Sequence, residues 1–179
     1  MNVWHDVSYG ENMPEEVNVI VEIPTGSQNK YEIDKDSGLL KLDRVLYSPF
    51  HYPGDYGFIP QTLGQDNDPL DGLVLVNFPT YPLTLMNVRP IGVLRMIDGG
   101  EGDEKILCVP VDDVRHSGAN KLSDIPQAVQ DEIAHFFQTY KQLEKKSVEI
   151  NGWGDADEAK QIIRDGVVRY QEKFSSKKA

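Results

Sequence analysis

A single cysteine, Cys108, among 179 residues excludes an intrachain disulfide. It lies inside the apolar run Ile106-Leu107-Cys108-Val109, so the expectation is a buried thiol, not a nucleophile. No apolar stretch approaches the ~20 residues of a membrane span, which argues against a membrane protein. The first sixteen residues have no basic start and no apolar run, so no secretory signal is expected and the expected location is cytoplasmic. Basic residues are scarce: 18 Lys and Arg stand against 29 Asp and Glu, a net charge of −11. Nucleic-acid binders usually carry a basic face, so no nucleic-acid partner is expected. A Gly-rich phosphate loop of the P-loop kind is absent as well.

What is present is acidic and clustered. Asp66-Asn67-Asp68-Pro69-Leu70-Asp71-Gly72 puts three carboxylates within six residues. Like charges so close repel. Hard cations take oxygen ligands and relieve that repulsion, whereas a plain solvated turn would need no cation. In an extended segment Asp66 and Asp68 would point to one side, and Pro69 would turn the chain so that Asp71 returns towards them. An EF-hand calcium loop fails on spacing, because positions 5, 6 and 12 counted from Asp66 are Leu70, Asp71 and Asn77. A cluster suited to Mg²⁺ or Mn²⁺, with places open to water and substrate, fits better. A second acidic stretch runs from Asp98 through Glu101, Asp103 and Glu104 to Lys105. Two such loops at one end of a barrel would suit two cations ~3.5–4 Å apart, the arrangement of two-metal phosphoryl chemistry.

The first two-thirds of the chain read as strands. They are Val17 to Ile23, a hairpin of Tyr31 to Ile33 with Leu39 to Val45, Leu73 to Asn77, Val88 to Ile97 and Ile106 to Val111. Pro90 and Gly92 suggest a bend or bulge in the long one. The segment Phe50 to Pro60, dense in aromatics, Pro and Gly, reads as an ordered loop whose tyrosines present hydroxyls. The last third reads as helices. Ser123 or Asp124 would cap one starting near Pro126, with an apolar stripe of Ala128, Val129, Ile133, Phe136, Phe137 and Tyr140. After an extended piece, Ser147 to Trp153, Asp155 would cap a second running to about Phe174, with a frayed tail from Ser175 to Ala179. With no repeat and no splitting linker, residues 1–179 read as one α+β, mainly β domain. The expectation is a small antiparallel barrel or sheet at about 15–115, with closure favoured because it removes edges, and two flanking C-terminal helices at about 124–174. Charged residues sit inside predicted strands: Glu22, then Lys30 and Glu32 on one face, then Arg44 after Asp43.

Val21-Glu22-Ile23-Pro24, Lys30-Tyr31-Glu32, Asp43-Arg44, Tyr52-Pro53-Gly54-Asp55-Tyr56-Gly57, Asp66 to Asp71, Asp98 with Asp103-Glu104-Lys105, and His135-Phe136-Phe137 leading to Tyr140-Lys141 together resemble the soluble inorganic pyrophosphatases of the metal-dependent family I, bacterial type. The blocks match in order and spacing from about residue 15 to 165. The resemblance implies a five-stranded OB-like closed barrel. It implies hydrolysis of pyrophosphate to two phosphates by a metal-activated water, using several Mg²⁺ ions, with Mn²⁺ or Zn²⁺ as substitutes. Asp66, Asp71 and Asp103 match metal ligands, as does Asp98 beside the substrate; Glu32 matches a further metal position. Asp68 matches the general base or water orienter. Lys30, Arg44, Tyr56, Tyr140 and Lys141 match groups that hold phosphate oxygens, while Glu22, Tyr52 and Lys105 match supporting positions. Many relatives carry a carboxylate directly after Asp98, where this chain has Gly99 and Gly100. A homohexamer is implied, with His135 on the helix that resembles an interface element. Two rivals remain: a non-catalytic OB-fold binding module, which needs no metal, and an enzyme for other phosphoanhydrides, which needs a pocket for base and sugar.

Overall fold

The computed structural model describes residues 1–174; the expectation of a frayed tail from Ser175 to Ala179 lies outside them. Among the described residues nine strands and two α-helices follow one another. They are β1 (Val17–Ile23), β2 (Asn29–Ile33), β3 (Leu40–Val45), β4 (Asp55–Phe58), β5 (Asp71–Val74), β6 (Leu85–Asp98), β7 (Glu101–Gly102), β8 (Lys105–Pro110), α1 (Gln127–Thr139), β9 (Val148–Gly154) and α2 (Ala156–Phe174).

The pairings β1–β4, β4–β5, β5–β8, β8–β6 and β6–β1 return to their starting strand, so five strands close a ring. Closure leaves no unpaired ladder inside it. The ring is not wholly antiparallel as expected, because β5 and β8 pair in parallel, Asp71 opposite Lys105 through Val74 opposite Cys108. The long β6 intervenes in sequence and runs against β8, which leaves β8 aligned with β5. Strand β6 reaches β1 at one end and β9 at the other, and breaks register between Pro90 and Gly92, as the residue types predict. The β2–β3 hairpin stands apart as its own two-stranded sheet.

Strand β4 corrects the loop expected at Phe50–Pro60. Its reason is a tertiary contact: a Cβ at Gly57 would lie 1.9 Å from the Ile20 carbonyl oxygen. Glycine lets β1 approach β4 this closely, so its low strand propensity is overridden by packing. Alternate strand residues feed two apolar clusters. Ile23, Leu73, Leu94, Met96 and Leu107 pack with Ile133, Phe136 and Phe137 of α1, while Val17, Val74, Val93, Ile106 and Cys108 pack with Ala159 and Ile163 of α2. The Cys108 thiol is buried as expected, and burial raises its pKa.

The expected cap of α1 is not Ser123 or Asp124. Pro126 is the N-cap, and Asp124 instead closes a short 3₁₀ turn, accepting from the Asn120 and Lys121 amides at 2.9 and 3.1 Å. Asp155 does start α2, its Oδ1 accepting from the Glu158 amide at 2.9 Å.

Candidate active site

One cavity of about 320 Å³ opens between the barrel, the β2–β3 hairpin and the start of the chain. Glu22, Lys30, Glu32, Tyr56, Asp66, Asp68, Asp71, Asp103, Lys105, Tyr140 and Lys141 all line it. Eleven residues singled out in sequence, spread from position 22 to 141, thus meet at one place. Strand pairing explains much of this. Asp71 opens β5 directly opposite Lys105, which opens β8, and Phe58, two residues after Tyr56, pairs with Asp71 on the other side.

The acidic loop is not extended. Asn67 adopts φ +68°, and the Asp68 amide donates to Asp66 Oδ1 at 3.1 Å, so a turn rather than strand alternation sets the two carboxylates. The Gly64 amide donates to the Asp68 carbonyl at 2.7 Å and closes the loop. Asp71 follows on the strand.

Lys105 organises the floor. Its Nζ lies 2.6 Å from Asp71 Oδ2, 2.7 Å from Asp103 Oδ1 and 2.9 Å from the Tyr56 hydroxyl. The residue is 3% exposed. Burial alone would lower its pKa, but Asp71 and Asp103 outweigh it and hold the ammonium charged. The two carboxylates divide unequally. Burial dominates at Asp71 and pushes its pKa up, whereas at Asp103 the Lys105 ammonium overcomes burial and holds the pKa down. Burial also raises Asp66, and it raises Glu22 to about 8 although the Ile33 amide donates to Glu22 Oε1 at 2.7 Å. Burial raises Tyr52, Tyr56 and Tyr140 too, so their hydroxyls stay protonated and able to donate.

The donor set fits divalent cations. Protein cations alone leave Asp66, Asp71 and Glu22 with ionised forms that burial disfavours, and added positive charge would reverse that. Among the described residues no three carboxylates already stand at coordinating spacing. Lys105 occupies the space between Asp71 and Asp103 instead.

Three expected residues do not line the cavity. Asp98, at the end of β6, pairs with Lys141 and reaches the site through it. Tyr52 lies behind Tyr56, ring centroids 5.4 Å apart, and packs on Phe136 at 4.9 Å. Arg44 is drawn away, with Nη1 2.5 Å from Asp43 and Nε 2.9 Å from Glu144. Its Nη2, like Glu144 Oε2, is buried without a hydrogen-bond partner among the described residues. Glu32 pairs with Lys30, and Asp43 approaches the same Lys30 at 3.4 Å. Gly99 and Gly100 both have positive φ, +60° and +85°, in the two-residue turn that sets Asp98 opposite Glu101. Such turns favour glycine at both positions, which accounts for the missing carboxylate. His135 is exposed on α1 beside Phe50.

Sequence reasoning missed Glu144, which anchors Arg44, and Lys35, which pairs with Asp68. It also missed Asn2, Val3 and Trp4, which line the cavity. Lys35 read as a turn residue of the hairpin; a tryptophan in a polar leading segment was the available signal for the rest.

A model of the family described as inorganic pyrophosphatase matches residues 19–171. A protein of Synechocystis sp. named inorganic pyrophosphatase is 53% identical over 155 residues, 87% of this chain and 92% of that one. One of Haloferax volcanii, with the same name, is 48% identical over 98% of this chain and 99% of its own. The crystal structure of inorganic pyrophosphatase from Thermus thermophilus superposes with a TM-score of 0.92 at 44% identity, covering 96% of this chain and 99% of that one.

Proposed function

The chain belongs to the inorganic pyrophosphatase family, and from that premise we propose how its site works. The enzyme hydrolyses pyrophosphate to two phosphates. The observation that carries the assignment is the gathering of Asp66, Asp68, Asp71, Asp103, Lys30 and Lys105 around one cavity, together with the family match across the same residues.

The cofactor is Mg²⁺, in several copies, with Mn²⁺ or Zn²⁺ able to stand in; supporting this is an all-oxygen donor set of the hard kind. Asp66, Asp71 and Asp103 would hold it, with Asp98 and Glu32 as further ligands. Once bound there, divalent cations would supply charge neutralisation for the polyanion and a lowered pKa for the attacking water. Asp68 accepts or orients the proton of that water; it is more exposed than its neighbours, which leaves it reachable. Lys30, Lys141, Tyr56 and Tyr140 hold phosphate oxygens, the lysines as point charges and the protonated tyrosines as donors. Arg44 joins them by releasing Asp43, and its unpartnered Nη2 supports that role. Glu22, Tyr52 and Lys105 support the arrangement.

The barrel and both helices act as one domain, in the cytoplasm; among the described residues no helix is long and apolar enough to cross a membrane. The assembly is a homohexamer. Phe78, Tyr81, Leu83 and Leu85 expose large apolar side chains within one short run, which supports assembly. Light scattering of the purified protein reads the mass directly.

Phosphate release from pyrophosphate tests the activity, with Mg²⁺, without it, and with ATP in place of pyrophosphate. Fast Mg²⁺-dependent release from pyrophosphate alone is expected. No release under any metal from folded protein would overturn the reading.

A further inference from the structure

The segment before β1 wraps back onto the mouth of the cavity. Asn2, Val3 and Trp4 line it beside Lys35 and Asp68. This segment is a built turn rather than a loose lead. The Asp6 amide donates to the Asn2 carbonyl at 2.8 Å, and Asn2 Oδ1 accepts from the Trp4 and His5 amides at 3.0 and 3.2 Å.

It is anchored on both flanks. Trp4 Nε1 donates to the Thr62 carbonyl at 2.9 Å, and the Gln61 amide donates to the Trp4 carbonyl at 2.9 Å. Gln61 Nε2 donates to the His5 carbonyl at 3.0 Å. The Trp4 ring stacks on His5 at 4.7 Å and meets Phe174 of α2 edge-on at 5.5 Å, while His5 Nδ1 lies 2.7 Å from the Tyr170 hydroxyl. Lys35, which pairs with Asp68, sits over the Trp4 ring at 5.3 Å. On the hairpin side, a Cβ at Gly38 would lie 3.7 Å from the Met1 carbonyl oxygen.

Valine and indole offer a phosphate oxygen no ionic partner. They stand at the mouth beside Lys35, Asp68 and Gly38, away from the acidic and ammonium groups on the floor at Asp71, Asp103 and Lys105, and their place is that of a wall. At about 320 Å³ the cavity is at the small end of ligand sites, roughly 300–1,000 Å³, and it must hold cations as well as substrate. A phosphoanhydride with a further phosphate or a nucleoside on one terminal phosphate has to pass that group out of the mouth.

We propose that the Asn2–His5 strap, with Trp4 as its keystone, is the specificity element that confines the site to unsubstituted pyrophosphate. The inference rests on the pyrophosphate reading above. Opening the wall should admit tripolyphosphate and ADP. Because Trp4 also carries Lys35, and through it Asp68, the informative quantity is the ratio of rates and not any single rate.

The test is kcat/KM for tripolyphosphate and ADP relative to pyrophosphate, with Mg²⁺, in wild type, Trp4→Ala and Tyr170→Ala. Tyr170 lies outside the cavity and only anchors the strap, so its truncation keeps the test decisive where Trp4→Ala does not fold. The expected result is a rise in the ratio of about tenfold or more in each folded variant, the scale on which a pocket wall discriminates. A fall in thermal midpoint with the ratio unchanged makes the strap merely structural and overturns the proposal. Wild type that releases no phosphate from pyrophosphate overturns the functional reading instead, so the two failures are distinct.

Discussion

Asp68 and Asp71 sit three positions apart and differ in what surrounds them. Asp71 is half-buried against Lys105 and Tyr56; Asp68 faces outward and meets Lys35. Their substitutions should therefore part company. Asp68→Asn keeps shape and removes the proton acceptor, so kcat should fall by about 10²–10⁴ with the thermal midpoint nearly unchanged; near-normal turnover would remove the role. Asp71→Ala should instead raise the Mg²⁺ concentration needed for half-maximal rate, read from a metal titration at fixed pyrophosphate. Glu22 gives a pH signature. Burial raises its folded-state pKa from 4.5 to about 8, so the folded protein holds this proton more tightly than the unfolded chain. Below pH 4.5 both states are protonated and the burial cost is absent; it grows as pH rises and is complete above about 8. In EDTA, Glu22→Gln keeps the acceptor oxygen for Ile33 and loses this cost. Its thermal midpoint should exceed wild type by an amount that widens across that window; a constant difference would refute the account.

Strand β4 depends on a single side chain being absent. Gly57→Ala would drive a methyl group into the β1 backbone at Ile20, where no flexible neighbour can yield. The expected loss is about 3 kcal/mol or more, read from the urea midpoint. Gly118→Ala is the matched control: a Cβ there meets nothing within 4 Å, and stability should stay within about 0.5 kcal/mol. The same strand pairing that Gly57 permits carries Tyr56 to the cavity and aligns Asp71 with Lys105. Loss of β4 is therefore loss of the site as well as of the fold.

Across the whole molecule, 29 acidic side chains oppose 18 basic ones, and many of the acids converge on one cavity. Self-repulsion of this kind destabilises the compact state, and cations held only by the folded form oppose it. Mg²⁺ should stabilise the fold well beyond NaCl at matched ionic strength, by about 2.7 kcal/mol per site at a hundredfold excess over Kd, read as a higher thermal midpoint. EDTA should reverse the rise. Equal effects of the two salts would mean general screening and no site.

The acidic run, the strand–helix order, the buried Cys108 and the second helix cap at Asp155 were legible in the sequence because each is a local pattern. Charge crowding, apolar period and capping chemistry act over a few residues. Strand β4 was not legible, since Gly57 is tolerated there only because β1 lies against it. The α1 cap failed because Asp124 was taken up by a turn of its own. The parallel β5–β8 pairing was also hidden, since the course of the intervening chain sets it. Resemblance supplied the candidate roles of Arg44, Tyr52 and Asp98, but their placement behind or beside the cavity depends on Glu144, Phe136 and Lys141. The wall made by Trp4 joins residues 4, 35, 68 and 170, and no local rule links those positions. Sequence alone determined which chemistry the chain carries, because residue type sets charge and donor set. Tertiary structure decided which of those groups share one cavity and what closes its mouth, because only the folded chain brings distant segments within reach.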